Sequence, residues 1–373
     1  MMIDAKIGGE DISTTPAAGK PAGSVSFSIL FYTDVREDVS DTEKLNFIRD
    51  ATLFADKAGF ASVYMPERHF HDKGCLYPDP AVLAAFLAPQ TKVIRFRTAG
   101  LSLPLHHPAS IVESWALVDQ LSGGRVDLGF GNGGTHRPVF TLAPDAYEDR
   151  RSITSTGIPI VQKLWRGESV SFPGPGGENF SITVHPRPIQ KEVAIWLLVV
   201  QNDEAFAYAG RQGYNIMTML YGVDLEAIGR KIVRYRDGRR EGGHNPETGI
   251  VSIMLHTLVV DDYNTLSKQL NSSFKPFVEK LTKRTYAMEH NGKPIETLSY
   301  EEQARRMAHS YNEHLKNGGI FGSISEARQV VDKAISVGVN DIALLLDFGV
   351  DYDVMRKSFS NLEELVSLYL GRG

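Results

Sequence analysis

Short apolar runs alternate with amphipathic stretches along this chain, and that alternation leaves few folds open. The first run, Phe27–Tyr32, is followed by Asp38, Ser40 and Asp41, which offer helix-cap chemistry. Phe47, Ala51, Phe54 and Ala58 then share one helical face, which Gly59 ends. Ala61–Met65 is the second apolar run, so a strand–helix–strand unit is predicted. Ile94–Leu101 reads as strand three, with a helix from about Ala109 to Leu121 and a turn at Ser122-Gly123-Gly124. Val126–Phe130 is strand four, and a helix covers Ile153–Trp165 before a loop at Phe172–Gly177. Strand five, Val193–Val200, is almost wholly apolar, as a strand buried on both faces should be. Helix Phe206–Arg211, strand Tyr214–Leu220, basic helix Leu225–Arg240 and strand Ile250–Val260 continue the series. A mostly polar, helix-prone insertion fills about 262–320, and helix 325–337 leads to strand eight, Asp341–Leu346. Eight strands alternating with helices predict an α/β chain folded as a single (β/α)8 TIM barrel over 25–373. The long insertion falls between strand seven and the last helix–strand unit. A doubly wound open sheet is the alternative.

The chain's 373 residues, 42% of them hydrophobic, suffice for one large core. A net charge of −5 without a long basic run argues against a nucleic-acid or anionic-membrane partner. Residues 1–24, rich in Gly, Ala, Thr, Pro and Ser, are expected to form a disordered tail rather than a signal peptide. No apolar run approaches the roughly 20 residues needed to span a bilayer. Cys75 is the only cysteine, which rules out an internal disulfide and suits a cytoplasmic setting.

Barrel active sites lie where strands end and the following loops begin. After strand two comes Met65-Pro66-Glu67-Arg68-His69-Phe70-His71, a cluster suited to acid–base work or to hydrogen bonding at a cofactor. The same residues would also make a salt-bridged strand end. A metal at Glu67, His69 and His71 lacks a matching remote ligand. After strand three, Thr98-Ala99-Gly100 lets a flat ring approach the backbone, and His106 and His107 either line the site or are structural. Gly129-Phe130-Gly131-Asn132-Gly133-Gly134 matches G-x-G-x-x-G formally, but Thr135-His136-Arg137-Pro138 continues as a loop, so a dinucleotide site is rejected. Those glycines still predict close approach of backbone to a ring or phosphate. Arg150 and Arg151 open a helix against its dipole, which points to an anion or to a solvated pair. Gln201-Asn202-Asp203-Glu204 leads into a helix whose free N–H groups suit a phosphate, unless Asp203 and Glu204 cap them.

From about Phe27 to its end the chain resembles the bacterial luciferase-like flavin monooxygenases. The strongest likeness runs from Gly59 to Gly134. It is carried by Glu67-Arg68-His69-Phe70, Thr98-Ala99-Gly100 with Leu103-Pro104 and His107-Pro108, and Val118-Asp119-Gln120-Leu121-Ser122-Gly123-Gly124-Arg125 running into Gly129–Gly133. The resemblance implies flavin at the strand ends. It sets Ala99 and Gly100 beside the flavin ring, often joined by a cis bond. It also implies flavin or phosphate contacts from Asn132, Arg151, Gln201 and Asn202. Glu67, Arg68, His69 and His107 are the expected catalytic residues. Luciferase's catalytic histidine falls where this chain has Arg68, and the Glu-Arg-His-Phe form resembles the subgroup encoded beside nonribosomal peptide and polyketide synthases.

The implied reaction is FMNH2- and O2-dependent monooxygenation through a flavin C4a-hydroperoxide. The substrate would be a small or carrier-bound molecule of specialised metabolism. A separate flavin reductase and a homodimer are expected. Segment 262–320 is a candidate lid. Lys231, Arg234, Arg236, Arg239 and Arg240 form a candidate patch for an acidic carrier protein. The rivals are deazaflavin-dependent hydride transfer, a non-catalytic flavin-binding protein and a metal-dependent hydrolase.

Overall fold

The computed structural model describes residues 25–32, 36, 38–70, 76–134, 137–290 and 292–370. The expected tail over 1–24, together with His71 and Cys75, lies outside the described residues. Eight parallel strands close a barrel: β1 (Ser26–Leu30), β2 (Ser62–Met65), β3 (Arg95–Thr98), β4 (Val126–Gly131), β5 (Ala194–Leu198), β6 (Asn215–Met219), β7 (Val251–Val259) and β8 (Asp341–Leu345). Each pairs with its successor, and β8 returns to β1 in register from Ser26–Asp341 to Leu30–Leu345.

The surrounding helices are α1 (Asp41–Lys57), α2 (Pro80–Leu87), α3 (Pro108–Ser122), α4 (Arg150–Arg166), α5 (Asp203–Arg211) and α6 (Leu225–Glu241). The insertion supplies α7 (Tyr263–Ser272), α8 (Phe274–Glu289) and α9 (Tyr300–Asn317), and α10 (Ile324–Ser336) and α11 (Tyr352–Ser367) complete the ring. Side-chain caps set several starts. Ser40 accepts from the Glu43 N–H, and Ser323 and Glu326 form a reciprocal capping box. No helix among the described residues is long and apolar enough to cross a membrane.

The lower barrel is filled by a polar network rather than by aliphatic layers alone. The Asp341 carboxylate accepts from the hydroxyls of Ser26, Ser28 and Ser252 at 2.8, 2.9 and 2.6 Å. Arg97 donates to Asp127 at 2.8 and 3.0 Å and to the Tyr64 hydroxyl at 2.8 Å, with Trp196 beneath it at 3.7 Å. Arg95 also donates to Asp127 at 2.7 Å, so this carboxylate ties β3 to β4 through two arginines.

Three local expectations change. The predicted loop at Phe172–Gly177 is the tip region of an antiparallel hairpin, Val170–Pro173 with Asn179–Ile182. Strand three stops at Thr98, and Leu101–Ser102 pairs separately with β4. The insertion's polar residues do form helices, but it ends in an added strand, Gly319–Gly322, paired with the outer half of β7.

Candidate active site

The Glu67 side chain emerges just past β2 and is wholly buried. Its Oε1 accepts from His69 Nε2 at 2.9 Å and from His106 Nε2 at 2.5 Å, while Oε2 accepts from the Ser102 N–H at 2.6 Å. Burial alone would push this carboxyl up. The hydrogen bonds from His106 and His69, the charge on His106 and the Ser102 N–H outweigh it and hold the group at about 2. For His106, burial opposes protonation, yet the hydrogen bond and charge of Glu67, aided by Asp79, raise its pKa. The result is an ionised acid flanked by two imidazoles, a unit that can hold and hand on a proton near neutral pH.

Two loops build this cluster. Past Met65, the Arg68 N–H donates to the Tyr77 carbonyl at 2.8 Å, and the Tyr77 hydroxyl donates to Asp347, just beyond β8, at 2.7 Å. Asp347 also accepts from the Tyr32 N–H at 2.7 Å, so the ends of β1, β2 and β8 are tied together. The Arg68 guanidinium lies 4.6 Å over the Tyr32 ring. Phe70 takes φ 55, a left-handed backbone that costs a non-glycine residue about 1–2 kcal/mol. On the other side, the turn Leu103–Leu105 swings His106 back toward Glu67.

Sequence reasoning chose His107 for catalysis, but the geometry gives that residue a different post. His107 is exposed, caps α3 by accepting from the Ala109 N–H at 3.3 Å, and packs 4.5 Å from Phe172. His106 is the histidine that reaches Glu67. Adjacent residues after a strand face opposite ways, and the turn decides which one turns inward.

Ala99 is buried and Gly100 turns the chain at φ 89. The bond between them is trans; the only cis bond among the described residues is His185–Pro186. The glycines of the G-x-G stretch answer to protein backbone first. Thr98 Oγ1 donates to the Gly129 carbonyl at 2.8 Å and accepts from its N–H at 2.6 Å, and a Cβ at Gly129 would collide with the Thr98 carbonyl. Asn132 is exposed at the end of β4.

At α4 the two arginines separate. Arg150 donates to the Tyr147 carbonyl and covers its ring at 4.3 Å. Arg151 is exposed and bonds no other described residue, and the N-cap, Asp149, makes no side-chain capping bond. Free N–H groups and an unengaged cation therefore meet there. At α5 the cap is Asn202, rather than Asp203 or Glu204. Its Oδ1 accepts from the Glu204 and Ala205 N–H groups at 2.9 and 3.3 Å. Asp203 pairs with Lys231 and Glu204 with Arg211. Gln201 donates to the Tyr221 carbonyl at 3.2 Å, and its own carbonyl accepts from Lys231 at 2.7 Å.

The proposed carrier patch on α6 is mostly consumed by the fold. Arg236 donates to the carbonyls of Pro246 and Gly249, and Arg239 is buried and donates to the Asn245 carbonyl and Thr248 hydroxyl. Lys231 serves Gln201 and Asp203, and Arg240 pairs with Asp237. Arg234 alone of the five stays exposed without a partner among the described residues. Carbonyl groups of the following loop use the charges that the sequence offered to solvent.

A closed α/β barrel carries at its strand ends a buried carboxylate bonded by two imidazoles, His69 and the solvent-reaching His106, and beside them a helix start with an unpaired arginine. The profile of the luciferase-like monooxygenases matches residues 25–340, and the chain belongs to that family of flavin-dependent enzymes. It is 24% identical over 342 residues to the oxygenase component of flavin-dependent trigonelline monooxygenase from Acinetobacter baylyi, covering 87% of this chain and 91% of the relative. Its fold is similar to the oxygenating constituent of 3,6-diketocamphane monooxygenase from Pseudomonas putida, solved with FMN. There the TM-score is 0.73 at 18% identity, over 92% of this chain and 97% of that one. It is also similar to an F420-dependent secondary alcohol dehydrogenase, with a TM-score of 0.68 at 17% identity over 93% and 99% of the two chains.

Proposed function

We propose that this enzyme oxygenates a small organic molecule with dioxygen and reduced FMN, the flavin being supplied by a separate reductase. The observation that carries the reading is the buried, ionised Glu67 shared by His69 and His106 at the end of β2. The cofactor fits what surrounds it. The uncapped start of α4 with free Arg151 suits a monophosphate, and the Ala99–Gly100 turn offers flat backbone to a ring. Gln201, Asn202 and Asn132 add polar groups at neighbouring strand ends. When bound, reduced flavin supplies the two electrons and the oxygen-reactive carbon, C4a.

The chain's own residues do the rest. Glu67 fixes both imidazoles, and His106 holds a proton near neutral pH and donates it to the reacting centre. Arg68 stays charged and acts on an anionic group rather than as a base. The α7–α9 insertion closes over the strand ends and excludes water. The naming of a trigonelline oxygenase component among the relatives supports the two-component arrangement. The likeness to an F420-dependent dehydrogenase favours, as a second reading, hydride transfer from a deazaflavin.

With the α6 cations engaged, a freely diffusing substrate of specialised metabolism is favoured over a carrier-bound one. A homodimer is favoured by exposed Val82 and Phe86 on α2 and exposed Leu117 and Leu121 on α3, two apolar pairs on neighbouring helices. The single thiol suits a cytoplasmic setting. The test is turnover under labelled dioxygen with NADH, FMN and an added flavin reductase, followed by product mass. One labelled oxygen atom in the product is expected, with no turnover when the reductase is omitted. Reductase-free turnover, or oxygen-independent reduction driven by a deazaflavin, would overturn the reading.

A further inference from the structure

The proton cluster and the flavin contacts leave unused a buried histidine at the catalytic end, His256. It lies on β7 four residues from Ser252, on the same face of the strand, and the Ser252 hydroxyl bonds Asp341 inside the barrel, so His256 faces the interior. Its register with Leu345, itself paired with Leu30, sets it level with the last residues of β8 and β1. His256 is 5% exposed, yet neither ring nitrogen bonds another described residue. Its neighbours are rings: Phe277 at 4.6 Å and Phe274 at 5.1 Å from α8, and Phe348 at 5.2 Å just beyond β8. Phe321 packs on Phe274 at 4.8 Å. Phe277 is 39% exposed, so the cluster opens to solvent on that side. Burial, helped by the charge of His314, pushes His256 down to about 3, so the imidazole there is neutral.

The His256 nitrogens are not among the buried polar atoms left without a partner, so solvent reaches them past the rings, and a ligand entering there can take up their hydrogen bond. Phenyl walls accept a further aromatic ring in offset or edge-to-face contact. The rings in contact with His256 carry no charge to balance a charged ligand. We propose that His256 is the hydrogen-bonding group of an aromatic substrate pocket roofed by α8. It selects an uncharged aromatic molecule that carries one hydroxyl or carbonyl group. The role as a substrate pocket rests on the oxygenase reading; the binding itself does not.

Ligand-observed NMR on the full chain, without flavin, tests this with phenol, acetophenone and toluene as probes. Wild type should bind phenol or acetophenone about tenfold more tightly than toluene. His256→Phe should bind all three alike, with its Tm and reduced-FMN affinity unchanged, and His256→Gln should keep part of the discrimination. Absent or equal binding of the three probes to wild type overturns the proposal, as does discrimination that survives in His256→Phe. If His256→Phe does not fold, His256→Gln decides: retained discrimination supports the pocket and lost discrimination refutes it. Reduced-FMN titration of the same samples reports separately on the oxygenase reading, so the two can fail independently.

Discussion

Replacing Glu67 by glutamine keeps the shape of the side chain and removes its charge. The carboxyl falls from an ordinary 4.5 to about 2 in the folded chain, a gap that corresponds to about 3 kcal/mol of stability. Because the folded state binds this proton more weakly than the unfolded one, the contribution is fully present above about pH 4.5. It is lost as the pH falls toward 2. His106 runs the other way. Its raised pKa stabilises the fold below its ordinary 6.5, and that contribution is lost as the pH rises through its higher folded value. Both effects describe one ion pair and are counted once. Urea unfolding of wild type and Glu67→Gln, followed by circular dichroism between pH 3 and pH 8, should give a difference of about 3 kcal/mol near pH 5–6. That difference should shrink on both sides. A difference that is flat across the range would refute the ionised cluster, and with it the proton role given to His106.

Other outcomes follow from the same geometry. Arg151→Ala should weaken reduced-FMN binding by about 1.5–3 kcal/mol and Arg150→Ala by much less, because Arg150 is engaged with Tyr147; equal small losses in titration would contradict this. Arg97→Ala should cost about 1.5–3 kcal/mol in denaturant unfolding, because it removes charge-assisted bonds to Asp127, which keeps Arg95 as a partner. Phe86→Glu combined with Leu117→Glu should convert a dimer to a monomer in sedimentation without loss of fold; an unchanged mass would remove α2 and α3 as the interface.

The barrel was legible because most strands are short apolar runs and most helices carry one apolar face. Helix α2 was not, since Pro80–Leu87 is apolar all round and shows no 3.6-residue period. The Gly319–Gly322 strand is four residues long and follows a polar helix, too short for a pattern. At the site, Glu67 and His69 could be read as neighbours after a strand end. The meeting of Glu67 with His106 could not, because 39 residues and a tight turn separate them. Nor could the fate of the α6 cations, since carbonyl partners leave no mark in composition. His256 sits in a mostly apolar strand, and only the folding of α8 over it reveals its ring of phenylalanines.

The most direct test of the account is anaerobic titration of the purified chain with reduced FMN, reduced FAD and the reduced deazaflavin coenzyme under one set of conditions. The monophosphate site proposed at α4, with no dinucleotide site, predicts that reduced FMN binds most tightly of the three and more tightly than its oxidised form. Tighter binding of the deazaflavin would turn the chemistry to hydride transfer, and tighter binding of FAD would contradict the site as described.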